Sequence, residues 1–139
     1  MELSNNVSAG IGLLCIFSLF GCGEQEGGTK PVVEMPTFQD AALMTGRGVW
    51  QRTCRACHLL GVEGAPAVTD FVQWEDRLRK GKHVLAQRVI DGIRGDDGTY
   101  RMPPRGGNNR LTDEQLKLAV DYKIASIKAL KHQSEELKR

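Results

Sequence analysis

Apolar residues recur with a helical period in the C-terminal third of the chain, and the same period appears more weakly in two earlier stretches. The last stretch begins at residue 111, where Thr112 and Gln115 have the spacing of a capping box. The other predicted segments are a first helix over residues 38–54 with Thr37 as its N-cap, a short helical turn over residues 73–79 and a middle helix over residues 82–93. No segment alternates as a strand would. The pattern therefore predicts an all-α domain of helices and loops.

The N-terminus carries a different pattern, an uncharged apolar run over residues 11–20. The run is too short to span a membrane, which takes about 20 residues, but it fits the core of a signal peptide. It ends in Leu19-Phe20-Gly21-Cys22, which resembles a bacterial lipoprotein box with Cys22 as the lipidated residue. Phe20 is bulky for its place and no basic residue precedes the run. Simple signal cleavage further downstream and an uncleaved anchor therefore remain as alternatives.

These features divide the chain into four parts. Residues 1–21 are predicted to be a lipoprotein-type signal peptide, and residues 22–36, which are rich in glycine, proline and charge, a flexible tether. The folded domain is predicted over residues 37–127, and residues 128–139 form a charged C-terminal tail. We therefore expect an exported protein that faces the periplasm and is held at a membrane surface by lipid.

Composition narrows the possible functions. The chain has 139 residues, 40% of them hydrophobic, and a formal net charge of only +2. This size suits a single compact domain, and the near-neutral charge argues against binding to nucleic acid. No glycine-rich phosphate loop is present in the sequence, so nucleotide chemistry has no support. Aromatic residues make up only 6% of the chain, which is little for an independent core.

The segment Cys54-Arg55-Ala56-Cys57-His58 is the most informative motif in the sequence. In an exported protein, C-x-x-C-H is the attachment signature of a c-type haem. Two thiols on one helical turn can form thioether bonds with the two vinyl groups of one porphyrin, and the adjacent histidine can bind the iron. A thioredoxin-like redox pair, half of a zinc site and a small disulfide loop are the competing interpretations. A buried porphyrin would also supply the apolar surface that the aromatic residues do not.

A second axial ligand for the iron is predicted at Met102. This residue precedes Pro103 and Pro104, and Gly106 and Gly107 follow, so a stiff loop would present its thioether. The other candidates are Met35 in the predicted tether, Met44 in the predicted first helix, and His83 and His132 at surface positions. Ligation by His58 and Met102 would fill both axial positions and raise the reduction potential, which suits transfer of one electron.

The order of these motifs resembles the class I mono-haem bacterial cytochromes c, most closely the cytochrome c5-like group, from about residue 46 to residue 126. The matching positions are Gly46, Trp50, the motif at residues 54–58, Gly61, Gly64 to Pro66, Asp70, Trp74, Leu85, Gly92, Met102 to Pro104, Gly106, Gly107, Leu111 and Ala119 to Tyr122. The resemblance implies three to four helices around one covalent haem, with the first and last helices crossing near Gly46. It also implies that the Pro66 carbonyl accepts a hydrogen bond from the His58 ring and that Trp74 lies against the haem. Lys123 departs from the pattern, because an apolar residue is usual there.

These observations together lead us to expect a lipid-anchored electron carrier that exchanges electrons with a redox protein donor and acceptor and acts on no small-molecule substrate. The alternatives are an electron-delivering haem subunit of a larger redox enzyme complex and a peroxidase-like haem enzyme, which would need an open iron position. Basic residues flank both ligand segments, and two interpretations of them stay open: scattered solvated charges, or a positive rim that steers an acidic partner. These residues are Arg52, Arg55, Arg101 and Arg105.

Overall fold

The computed structural model of the protein describes residues 32–139. The predicted signal peptide, the predicted lipidation site at Cys22 and most of the predicted tether lie outside these residues. The described residues form five α-helices, two 3-10 turns and one two-stranded ribbon. In chain order they are α1 (Ala41–Thr53), α2 (Arg55–His58), a 3-10 turn (Val62–Gly64), α3 (Phe71–Arg79), α4 (Lys82–Asp91), β1 (Ile93–Arg94), β2 (Tyr100–Met102), a second 3-10 turn (Pro104–Gly107) and α5 (Asp113–Glu136).

The small all-α fold is as predicted, but α1 begins later than the sequence suggested. Its N-cap is Asp40 rather than Thr37, and the Asp40 carboxylate accepts a hydrogen bond from the Leu43 backbone N–H at 2.9 Å. Both residues are good caps, so the local sequence does not choose between them. Residue 38 is drawn into the core instead, because its ring packs edge-on against Tyr122 at 5.9 Å. Tertiary packing of Phe38 thus moves the start of the helix.

The capping box of the last helix is present as predicted. The Thr112 hydroxyl accepts from the Gln115 backbone N–H at 3.2 Å, and the Gln115 side chain accepts from the Thr112 N–H at 2.9 Å. The helix then continues to Glu136, well beyond the predicted domain end at residue 127, and Leu130 packs against the core. Among residues 32–139, no helix combines the length and apolar character that a membrane span requires.

The ribbon of β1 and β2 was not predicted. Ile93 pairs with Met102 and Arg94 with Tyr100 in antiparallel register. Strands of two and three residues are too short to show an alternating pattern, so the sequence carried no periodic signal for them. The turn between them is held by the Asp97 carboxylate, which accepts from the Thr99 N–H at 3.0 Å.

The crossing of α1 and α5 forms the centre of the core. A Cβ atom placed on Gly46 would lie 2.0 Å from the Leu118 carbonyl oxygen, so only glycine allows this approach. One turn further along each helix, Trp50 and Tyr122 are both fully buried, with ring centroids 6.0 Å apart. The crossing that the resemblance implied is therefore present, and its closeness depends on the absence of a side chain at residue 46.

The packed region starts before the predicted boundary at Thr37. Met35 is 8% exposed and belongs to the same core cluster as Trp50 and Tyr122. The Tyr122 hydroxyl donates to the Pro36 carbonyl at 2.9 Å, which ties residue 36 to the last helix. Residues 33–36, which we expected in the tether, therefore pack with the domain. No periodic pattern predicts this packing, because one pair of valines and one methionine are too few to show a period.

Candidate haem-binding site

The attachment motif lies at the junction of α1 and α2. Cys54 ends α1, and the four residues of α2 follow it directly, so both thiols and the imidazole belong to one helical turn. Both cysteines are free thiols; Cys57 is exposed and Cys54 is half-buried. Burial raises the pKa of the Cys54 thiol, and the nearby Lys123 ammonium opposes this shift. The turn thus brings together the two sulfurs and the imidazole that the motif predicted.

His58 is held in one orientation by its neighbours. Its Nδ1 lies 3.1 Å from the Pro66 carbonyl oxygen, which is the hydrogen bond that the resemblance implied. A carbonyl oxygen can only accept, so Nδ1 carries the proton and Nε2 keeps its lone pair. Burial is the main cause that lowers the pKa of the imidazole to about 4, which keeps the ring neutral at pH 7. A neutral, oriented imidazole with a free Nε2 is the form that binds a metal ion.

The loop after α2 brings Pro66 to this position. Gly61 has a φ of +80°, and a Cβ there would lie 3.1 Å from the Ala65 carbonyl oxygen, so glycine permits the tight return. The loop is fixed further on, where the Trp74 indole N–H donates to the Ala67 carbonyl at 2.6 Å. The Trp74 ring is 5% exposed and lies 6.2 Å from the His58 ring. Trp74 therefore supports the imidazole both directly and through the loop.

Met102 occupies the end of β2, half-buried, and its loop is set by a close backbone approach. Gly92 follows α4 with a φ of +79°, and a Cβ there would lie 2.7 Å from the Pro104 nitrogen and 2.8 Å from the Met102 carbonyl oxygen. Any larger residue at position 92 would push the loop away. The sequence pattern predicted a stiff loop at Met102, but the contribution of Gly92 becomes visible only in the structure.

The same loop reaches the end of α1. A Cβ on Gly106 would lie 3.0 Å from the Thr53 methyl group, so the loop passes close to the residue before Cys54. Arg105, with a φ of +56°, donates to the Leu111 carbonyl at 2.7 Å and pairs with the Asp113 carboxylate at 2.6 Å. This arginine bridges the loop to the start of α5. The structure thus brings the Met102 loop and the attachment motif to the same part of the domain.

The other candidate ligands are engaged elsewhere. The Met44 sulfur lies 3.5 Å from the Phe38 backbone N–H, within hydrogen-bond reach, and Met35 is in the core. His83 is exposed at the start of α4, and His132 lies 4.0 Å from Glu136 on the exposed part of α5. Of the methionine and histidine candidates, Met102 is the one in the loop whose Gly106 approaches Thr53, the residue before Cys54.

These residues fit a covalently bound haem. Two thiols on one turn match the two vinyl groups of a porphyrin, an imidazole with an unprotonated Nε2 suits the iron, and the Met102 thioether would be available as a further iron ligand. Within residues 32–139, no group of three or more His, Cys, Asp or Glu side chains is arranged to hold a metal ion.

One residue of the site was noted in the sequence only as a departure from a pattern. The Lys123 side chain crosses from α5 toward α3, where its Nζ lies 4.2 Å from the Trp74 ring. Desolvation is the main cause that lowers the pKa of this ammonium to about 7. A lysine at an apolar position of a helix is the sequence signal that could have placed it in the site.

Comparison with known proteins agrees with this fold. The family model described as cytochrome c oxidase, cbb3-type, subunit III, matches residues 41–122. Cytochrome c-555 of Chlorobaculum tepidum is 38% identical over 89 residues, covering 64% of this chain and 79% of that protein. Cytochrome c5 of Ectopseudomonas mendocina is 36% identical over 69 residues, covering 48% of this chain and 72% of that protein.

A solved structure is also similar. It is a cytochrome c chain from the crystal structure of an electron transfer complex of nitrite reductase with cytochrome c, with a TM-score of 0.52 and 32% identity. The match covers 63% of this chain and 96% of that chain.

The helices and the attachment turn together define a small haem protein that transfers electrons. The chain belongs to the class I cytochromes c. It carries one covalently bound haem c and is an electron-transfer protein rather than an enzyme.

Proposed function

We propose that this cytochrome is an exported, lipid-anchored, one-electron carrier whose haem is joined to Cys54 and Cys57 and ligated by His58 and Met102. The observation that carries the ligation is the hydrogen bond from His58 Nδ1 to the Pro66 carbonyl, because it leaves Nε2 available for iron. The bound haem supplies an iron that cycles between the ferric and ferrous states. With His58 and Met102 both holding the iron, no coordination position would remain open for oxygen or a substrate.

Other residues of the chain orient His58 and position the loop that carries Met102. Pro66 fixes the ring of His58, and Trp74 packs beside that ring and excludes water from it. Gly92 sets the approach of the loop that carries Met102. A rigid ligand set of this kind limits the change in geometry between the two oxidation states, which favours fast electron transfer.

The attachment and the ligands can be tested in one set of variants. The purified holoprotein should weigh one haem more than its polypeptide, and Cys54→Ala or Cys57→Ala should lose one of the two thioether bonds. Met102→Ala should lower the reduction potential and remove the weak near-infrared band expected of Met–iron ligation, because thioether ligation favours ferrous iron. Met44→Ala is the matched control, since Met44 is also half-buried. An unchanged spectrum and potential in Met102→Ala would overturn the ligand assignment.

The sequence around Cys22 supports the lipid anchor. The Leu19-Phe20-Gly21-Cys22 segment after an apolar run supports modification of Cys22. Cys22→Ser should release the haem protein from the membrane fraction of cells that export it, whereas Cys15→Ser, which changes a cysteine inside the apolar run, should not. Membrane association that survives Cys22→Ser would refute lipidation there.

The surface around the attachment motif supports docking of a redox protein. Leu60 and Val62 are 50% and 47% exposed, and Arg52 and Arg55 are exposed close by in sequence. An apolar centre with basic residues near it fits an acidic partner. Arg105, which we expected among the steering arginines, is instead paired with Asp113. Electron-transfer rates to an acidic redox protein should therefore fall with ionic strength and with Arg55→Gln, but change little with Arg105→Gln.

A second candidate function is an electron-delivering subunit of a larger redox enzyme complex. It is favoured by the match to the family described as an oxidase subunit. Purification from native membranes in mild detergent separates the two functions: a stable partner of fixed stoichiometry supports the subunit, and a monomeric haem protein supports the carrier.

A further inference from the structure

We propose that Lys123 sets the reduction potential of the haem iron: its ammonium, held against the face of Trp74 on the His58 side of the site, favours the ferrous state. The inference rests on the proposed attachment and ligation of the haem. It assigns a role to a residue that breaks the apolar pattern of α5 and that the ligand set does not use.

The Lys123 ammonium lies against the ring that packs beside His58. Nζ lies 4.2 Å from the Trp74 ring, and that ring lies 6.2 Å from the His58 ring. The cation is therefore within about 10 Å of the imidazole that binds the iron. The face of an indole attracts a cation through its quadrupole, so Trp74 holds the ammonium in place.

The groups around the Lys123 ammonium do not neutralise its charge. Among residues 32–139, the Lys123 side chain makes no salt bridge and no hydrogen bond, whereas the side chains of Lys82 and Lys117 each pair with a carboxylate. The charged or titratable groups that face it are Cys54 from the end of α1, His58 from α2 and Arg77 from α3. Cys54 and His58 are taken up by the haem, and Arg77 keeps its positive charge. No carboxylate of the described residues pairs with the charge of Lys123.

The consequence for the iron follows from electrostatics. The ferric site carries one more positive charge than the ferrous site, so a nearby cation disfavours oxidation. The iron would lie one ligand bond beyond the imidazole, so the separation of the charges is roughly 10–13 Å; with an effective dielectric constant of about 20, one unit charge at that distance changes the reduction equilibrium about ten-fold. For a one-electron couple, a ten-fold change is about 59 mV.

The pH dependence has a defined sign. Burial lowers the pKa of Lys123 to about 7, so the ammonium is charged at low pH and loses its proton as the pH rises through 7. The potential should therefore fall from about pH 6 to about pH 8. Reduction of the iron favours the charged amine, so the electron is accompanied by partial uptake of one proton from water at Nζ.

Replacing the cation should also change stability in a direction that a packing role does not predict. The Lys123 side chain is half-buried, and a partly desolvated charge without an anionic partner in the described residues opposes folding. Lys123→Met keeps the length of the side chain and removes the charge. We expect this variant to unfold at a higher denaturant concentration than the wild type while its potential is lower.

The experiment is a potentiometric titration of the holoprotein and its variants from about pH 6 to about pH 8. Lys123→Met should lower the reduction potential at pH 6, which corresponds to a change of about ten-fold in the equilibrium constant for reduction. It should also abolish the decrease of the potential between about pH 6 and about pH 8. Lys123→Arg, which keeps a permanent charge, should hold the wild-type pH 6 potential at all pH values. Lys128→Met, an exposed lysine of the same helix, is the control and should match the wild type.

The outcomes separate this inference from the proposed function. An unchanged potential in Lys123→Met with intact haem mass and Met–iron band would overturn the role of Lys123 and leave the ligation standing. Loss of the band in the wild type would overturn the ligation itself. If Lys123→Met disturbs the spectrum, the comparison of the wild type with Lys123→Arg tests the role of Lys123 instead. A wild-type reduction potential that varies with pH no more than that of Lys123→Arg would overturn the inference.

Discussion

The crossing of α1 and α5 and the loop that carries Met102 are both close backbone approaches that depend on a glycine, but they are stabilised in different ways. At the crossing, large side chains such as Trp50 and Tyr122 are fully buried. At the loop, Met102 and Arg105 are half-buried, and position is fixed by Gly92, by a positive φ at Arg105 and by one ion pair. Burial of apolar side chains is thus the main stabilising factor at the crossing of α1 and α5, whereas backbone geometry is the main one at the Met102 loop.

This difference predicts two kinds of mutational effect. Changes at the crossing should destabilise the whole domain, because burial of large apolar groups is the main source of folding free energy. Changes at the loop should act on the iron ligand more than on the free energy of unfolding. The predictions below test this division in order of expected size.

Gly46→Ala should have the largest effect. Its Cβ would meet the Leu118 carbonyl at 2.0 Å, so two helix backbones must separate, at a cost of about 3 kcal/mol or more. Gly48→Ala is the control in the same helix, because its nearest neighbour is the flexible end of Arg52 at 3.4 Å. Chemical denaturation should show a large loss for the first variant and a change within about 1 kcal/mol for the second. Equal losses would mean that the crossing is not the tight point.

Met35→Ala tests whether residues 33–36 belong to the domain. Removing a buried methionine side chain should cost about 2 kcal/mol. Val32→Ala, at a position that is 93% exposed, should leave the unfolding midpoint unchanged. An unchanged unfolding midpoint in Met35→Ala would mean that residues 33–36 belong to the tether and not to the folded domain.

Gly92→Ala tests the loop by comparison with Gly98→Ala. Both glycines have a positive φ, +79° and +78°, so both substitutions carry the strain of about 1–2 kcal/mol that this backbone region imposes. A Cβ on Gly98 meets nothing within 4 Å, whereas one on Gly92 meets the Met102 loop. We therefore expect loss of the Met–iron band in Gly92→Ala alone. A band retained in both variants would show that the loop adapts.

Arg105 should give the smallest effect. Arg105→Ala removes a partly exposed ion pair and one hydrogen bond, which together contribute about 1 kcal/mol. Arg105→Gly removes the same contacts but relieves the φ of +56°, so it should be the more stable of the two variants by about 1 kcal/mol in thermal melts. If Arg105→Ala is at least as stable as Arg105→Gly, backbone strain at this residue has no influence on the loop.

Local signals in the sequence were sufficient for several features. The capping box at Thr112 and the C-x-x-C-H turn depend on residues that are neighbours along the chain, so spacing alone identified them. The ribbon of β1 and β2 was missed, because strands this short have no period and form only where Gly92 lets the loop approach. The start of α1 was misplaced, because Thr37 and Asp40 are both good caps and the packing of Phe38 decides between them.

The sequence by itself determined the helical class, the haem attachment turn and the last helix start, since each depends on contacts within a few residues. Only the tertiary structure decided what lies beside that turn. It brought Pro66 to the His58 ring, Gly106 to the end of α1 and Lys123 to the face of Trp74. These contacts join residues far apart in the chain, and their geometry depends on how closely the helices and loops can approach one another.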